Sequence, residues 1–111
     1  MVSPQQDMVN YTQLGEETDT LIELHGKHYE IVENIKNGFE ENAIKDRYSD
    51  ILAKYDYIVG DWGYNQLRLK GFYHDRNSKA QVDTKISTLD DYLYEYCNFG
   101  CAYFVLKKVK K

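Results

Sequence analysis

The chain has little to stiffen or staple it. Of its 111 residues one is proline, Pro4, and two are cysteine, Cys97 and Cys101. With no proline beyond position 4, no proline-rich linker divides the chain. Two thiols in a chain of this size are not a disulfide framework, and they suit a reducing compartment. Long apolar runs are also missing. The longest, Ala102 to Leu106, falls far short of the roughly 20 residues of a membrane-spanning helix. The opening residues Met1-Val2-Ser3-Pro4-Gln5-Gln6-Asp7 show neither the basic stretch nor the apolar core of a signal peptide. These absences are those of a cytoplasmic chain with no membrane partner. Catalytic signatures are absent as well. There is no Gly-x-Ser-x-Gly, no glycine-rich phosphate loop ahead of a helix and no His-Glu-x-x-His. No enzyme class and no cofactor is indicated.

What is present belongs to a globular protein. Apolar residues make up 42% and aromatics 14%, with eleven tyrosines. A chain of this length buries roughly 65% of its unfolded surface, enough to fold as one domain without a metal or a disulfide. The net charge of −4 hides an asymmetry. Residues 1–63 hold 5 Lys+Arg against 13 Asp+Glu, a balance of −8, and residues 64–111 hold 9 against 5, a balance of +4. Either the basic half meets an anionic partner or the two halves attract each other within the fold.

Residues 1–18 lack periodicity and are expected to form a disordered tail. The folded domain spans 19–108, and 109–111 form a basic end. Leu21-Ile22-Glu23-Leu24 and Tyr29-Glu30-Ile31-Val32 flank His25-Gly26-Lys27-His28, which predicts a hairpin. A first helix is predicted over Glu40–Lys54, with Ile44, Tyr48, Ile51, Leu52 and Tyr55 on one face. Three strands follow: Tyr55–Val59, Gln66–Tyr73 and Ala80–Ile86. Gly60-Asp61-Trp62-Gly63 turns the chain between the first two, and Asp75-Arg76-Asn77-Ser78 between the last two. A second helix carries the stripe Leu89, Tyr92, Leu93, Tyr96, Cys97, is capped by Ser87 or Thr88, and ends at a left-handed Gly100. Cys101–Lys107 is a final strand, apolar on both faces at its start and therefore central. The order is ββα-βββ-αβ: an α+β domain with a twisted, mostly antiparallel sheet and two helices packed on it. Gly60, Gly63 and Gly71 would permit the bends of a partly closed barrel.

Few residues point to chemistry. Cys97 and Cys101 lack two further ligands at zinc spacing, and a redox pair more often reads Cys-x-x-Cys. They fit one buried helix residue and one strand start. His25 and His28 flank a solvated turn. His74, in His74-Asp75-Arg76, sits in another. Asp61 can serve as a base or ligand, but a single carboxylate without a partner more commonly caps a turn. The sheet offers more. Arg68, Lys70, Phe72 and Lys85 are expected on one face, with Trp62, Tyr64 and Tyr73 close in sequence. Cations interleaved with aromatics suit single-stranded RNA or another polyanion. The alternative is pairing of Asp83 with Arg68 or Lys70 and aromatics covered by a helix.

Several long motifs carry a family resemblance: Arg47-Tyr48-Ser49, then Tyr55 through Tyr64, then Leu67 through Phe72. They continue with Asp83 through Leu89 and Asp91 through Leu106. The chain resembles the YutD-like family of small bacterial proteins, typical of Gram-positive Firmicutes, over most of residues 20–108. The resemblance implies a cytoplasmic α+β domain. It carries over no catalytic residue, metal or cofactor, because the family has no assigned activity. The expected function is a non-enzymatic binding module, with RNA or another polyanion as ligand on Arg68, Lys70 and Lys85. The alternatives are a protein–protein adaptor using an aromatic patch at Trp62 and Tyr64, and a small enzyme using Asp61 and His74.

Overall fold

The computed structural model describes residues 21–96 and 100–109. The expected tail at 1–18 and the last residues of the basic end, 110 and 111, lie outside the described residues, as does Cys97. Five strands form one antiparallel sheet: β1 (Leu21–Leu24), β2 (Lys27–Ile35), β3 (Tyr57–Gly63), β4 (Gln66–Phe72) and β5 (Tyr103–Val109). Their spatial order is β1-β2-β5-β3-β4. The last strand is therefore the centre of the sheet, as its apolar run predicted. Two α-helices among the described residues, α1 (Glu41–Arg47) and α2 (Leu89–Tyr96), complete an α+β fold. Among the described residues, no helix is long and apolar enough to cross a membrane.

The sheet is buried on both faces around β3 and β5, and the alternation of side chains sorts its residues into two cores. On one face Leu24, Tyr29, Ile44, Tyr48, Ile58, Leu67, Phe104 and Leu106 pack under α1 and its neighbourhood. On the other, Val59, Phe72 and Val105 pack with Ile86, Leu89 and Tyr92 from the α2 side. Ile58 pairs with Leu106 and Val59 with Val105, so each β3–β5 pair contributes to one core in turn.

Several expectations are corrected. The long first helix is two pieces. α1 ends at Arg47, Tyr48 and Ser49 are extended, and a 3₁₀ turn runs over Asp50–Lys54. Leaving the helix at Tyr48 places its buried hydroxyl 2.9 Å from that of Tyr29, and His25 packs edge-on against its ring. Tertiary contacts at one residue here override a helical period, and Ile51 of the expected inner face is 70% exposed.

Gly60-Asp61-Trp62-Gly63 does not turn the chain; it is the second half of β3. The turn is Tyr64-Asn65, both at positive φ (55° and 63°), the geometry that joins two antiparallel strands through a two-residue loop. His25 and Gly26 do the same between β1 and β2.

The third predicted strand, Ala80–Ile86, is absent. It is replaced by 3₁₀ turns over Val82–Thr84 and Ile86–Thr88, leaving one parallel bridge between Tyr73 and Lys85. The Thr84 hydroxyl accepts from the Gln81 amide at 2.8 Å and Thr88 donates to the Lys85 carbonyl at 2.7 Å. Such local bonds compete with a sheet ladder. They also occupy the hydroxyl that was expected to cap α2. The order is thus ββα-ββ-αβ, and the sheet stays open between its two edges, β1 and β4, rather than closing toward a barrel.

Candidate functional site

Asp61 is the one charged side chain among the described residues that is fully buried. Its place follows from register. It lies on β3 opposite Arg68 of β4 on one side and Tyr103 of β5 on the other. Arg68 donates from Nε and Nη2 to the Asp61 Oδ1, at 2.9 and 2.5 Å. From above, α2 lowers Tyr92, whose hydroxyl donates to Oδ2 at 2.7 Å. The Arg68 Nη2 also donates to the Tyr96 carbonyl at 2.6 Å, at the end of α2. The buried carboxylate therefore holds the edge hairpin and the helix together. Burial first, and then the bond to Asp61, push the Tyr92 hydroxyl well above the usual phenol value. The bond to Asp61 raises the Arg68 guanidinium further.

Arg68 keeps 46% of its side chain exposed. It opens into a cleft of about 380 Å³ lined by Trp62, Tyr64, Gln66, Tyr96 and Cys101. Tyr64, on the β3–β4 turn, is 98% exposed. Cys101 is disulfide-bonded, in contrast to the expected thiol.

The structure divides the residues singled out from the sequence. Asp61, Trp62, Tyr64 and Arg68 come together. Trp62 is half-buried against the α1-side core, and its Nε1 donates to the Gly38 carbonyl at 2.7 Å. Lys70 lies over the rings of Phe72 and Tyr92, 4.9 and 5.9 Å from their centroids. Phe72 is fully buried. Tyr73 is buried too and packs its ring on Tyr55. Lys85 sits half-buried at the bridge to Tyr73. In place of the anticipated pairing of Asp83 with Arg68 or Lys70, Arg68 pairs with Asp61 and Lys70 lies over two rings, while α2 covers Phe72 as the same alternative expected.

His74 belongs elsewhere. It lines a second cleft of about 560 Å³ with Asp56, Tyr57, Asn77 and Lys107. The His74 amide donates to the Asp56 carboxylate at 2.7 Å and the Asn77 side chain at 3.1 Å. Burial opposes ionisation of Asp56, but these two bonds together with the nearby Lys108 and His74 outweigh it and hold the carboxyl below its ordinary value. Tyr57 and Asp61 are four residues apart on an extended strand, about 13 Å, so Asp61 and His74 are not brought to one centre. Among the described residues no three His, Cys, Asp or Glu side chains converge to hold a metal ion.

In the sequence Tyr92 and Tyr96 belong to a helix stripe and nothing more. Their spacing of four does place both on one face, but nothing in that spacing says that the face meets a buried carboxylate.

The comparisons with known proteins agree with this architecture. The family described as "Putative antitoxin YutD-like" matches residues 23–107. "Putative antitoxin YutD" of Bacillus subtilis (strain 168) is 67% identical over 91 residues, covering 82% of this chain and all of that protein. The solution NMR structure of yutD from B. subtilis aligns with a TM-score of 0.70 at 67% identity, over 82% of this chain and 83% of that one. The chain belongs to the YutD-like family.

Proposed function

We propose that the protein is a non-enzymatic, protein-binding module of antitoxin type, which engages its partner through the cleft between the β3–β4 turn and the end of α2. One observation carries this reading. Tyr64 is a bulky aromatic at φ 55° and is 98% exposed. A left-handed backbone costs an L-residue other than Gly, Asn or Asp roughly 1–2 kcal/mol. The exposed ring recovers little of that by packing within the chain. A strained, solvent-facing tyrosine beside an arginine and a second tyrosine is the composition of an interface anchor. The antitoxin name of the relatives fits a protein that acts by engaging another molecule.

RNA as ligand draws less support from the geometry. Of the cations on which it rested, Arg68 has part of its charge balanced by Asp61, Lys70 lies over two rings and Lys85 is half-buried at the bridge to Tyr73, so they do not form one open basic face. An enzyme built on Asp61 and His74 lacks a shared centre.

The test places a photo-crosslinking benzoylphenylalanine at Gln66, an exposed residue of the cleft, in the full chain expressed in Gram-positive cells. The expected product is a protease-sensitive, nuclease-resistant adduct of one mass, absent when the label sits at Ile51, outside the cleft. Tyr64→Asn should lose the adduct yet raise stability by about 0.5–1 kcal/mol, because Asn accepts the left-handed turn. A nuclease-sensitive adduct, or none, overturns the proposal.

A further inference from the structure

We infer that the cleft recognises a carboxylate, presented by an acidic residue of the partner and received on the outer edge of Arg68. The inference rests on the cleft being the partner-binding surface and names the chemistry of that surface.

A guanidinium has five N–H donors in a rigid plane. In Arg68, Nε and Nη2 are turned inward to Asp61, and the remaining Nη2 donor goes to the Tyr96 carbonyl. Nη1, with two N–H groups, makes no hydrogen bond to the described residues, and the side chain is 46% exposed. The plane is thus fixed from behind by a fully buried carboxylate, and Arg68 is one of the residues that line the cleft. Holding the fork in advance spares the entropy that a free arginine would lose on binding. Asp61 is a positioning residue in this scheme.

The surroundings select the ligand. Among the described residues Arg68 is the only cation lining the cleft, and part of its charge is balanced by Asp61. A phosphate dianion would keep at least one charge unbalanced beside a single guanidinium that Asp61 already partly balances. A monoanionic carboxylate can accept one Nη1 N–H at one oxygen, and the exposed Gln66 amide can donate to the other. Tyr64 and Tyr96 at the rim offer apolar faces to the methylene stem of an Asp or Glu side chain.

The probe is sodium acetate at constant ionic strength, followed by NMR of the ¹⁵N-labelled guanidinium groups. Arg47 and Arg76 serve as references within the same chain. Arg68 should saturate at an acetate concentration at least about tenfold below theirs, and inorganic phosphate should bind it more weakly than acetate. Gln66→Glu, at an exposed strand position that leaves Asp61 untouched, should weaken acetate binding at least about threefold by supplying an internal competitor. Overturning results are an Arg68 signal that tracks Arg47 and Arg76, or phosphate saturating Arg68 before acetate. A photoadduct at Gln66 without acetate saturation removes the carboxylate inference and leaves the protein partner. Saturation without an adduct keeps the carboxylate site and removes the protein partner.

Discussion

At the scale of single residues, the Asp61–Arg68–Tyr92 cluster has a polarity that mutation should expose. Asp61 is fully buried and Arg68 is nearly half exposed. If Arg68 is lost, a buried carboxylate is left with one phenolic donor. If Asp61 is neutralised, the guanidinium can still reach water. Arg68→Ala should therefore cost about 3–5 kcal/mol, and Asp61→Asn only about 1–3 kcal/mol. Urea unfolding at neutral pH ranks the two variants; equal losses, or the reverse order, would mean that the pair does not carry its charge in this way. Two phenols give a second residue-level test. Burial, and then the bond to Tyr48, push the Tyr29 hydroxyl above its ordinary value, as burial and Asp61 do for Tyr92. Because the folded values lie above those of the unfolded chain, this stability is complete below about pH 10 and is lost as pH rises through the folded values. Near pH 11 the unfolded chain should show phenolate absorbance that the native chain withholds. Identical absorbance in the two states would refute the assignment.

At the scale of elements, the centre of the sheet is built around a glycine under an aromatic ring. Gly60 of β3 faces Phe104 of β5, and a Cβ at position 60 would stand 2.1 Å from the Phe104 ring. Phe104 is fully buried, so its ring can make way only by disturbing the core around it. Gly60→Ala should cost about 1–3 kcal/mol by overpacking, read as a lowered urea midpoint; an unchanged midpoint would show that the ring can shift. That glycine was visible in the sequence but read as a turn, because local chemistry cannot distinguish a glycine that bends a chain from one that makes room for a neighbour. The same limit explains the other departures. β1, β2, α2 and β5 were legible, since each carries its own period and its own punctuation. The break at Tyr48 depends on Tyr29, nineteen positions earlier, and no window around the helix contains that bond. Ala80–Ile86 alternates like a strand, but the Thr84 and Thr88 hydroxyls close local turns instead. At the cleft, the sequence offers Trp62 and Tyr64 as one aromatic patch, Arg68 with Lys70 and Lys85, and Asp61 with His74. The grouping of Asp61, Trp62, Tyr64 and Arg68 was not legible, because it follows from a β3–β4 register set by a turn at Tyr64-Asn65 and from the docking of α2, both long-range facts.

At the scale of the whole molecule, the charge asymmetry along the chain becomes an internal arrangement. β5, from the basic half, lies between β2 and β3, from the acidic half. Lys107 stands opposite Glu30 in register. Lys36 donates to the Gly100 carbonyl at 2.8 Å, and the Tyr103 hydroxyl to Glu33 at 3.3 Å. The two halves meet along a strand rather than across a surface, which weakens the case for an outside polyanion. It also makes folding dependent on the end of the chain. Without β5, β2 and β3 each lose a neighbour, and the sheet separates into two hairpins, β1–β2 and β3–β4. Isolated two-stranded hairpins are marginal at best in water. Phe104, Val105 and Leu106, which supply both cores, would go with it. A chain ending at Ala102 should therefore show no cooperative urea transition and little amide protection, whereas a chain ending at Val109 should retain both. A cooperative transition in the shorter chain would mean that one hairpin and its helix form an autonomous core, and that β5 joins a structure already made rather than creating it.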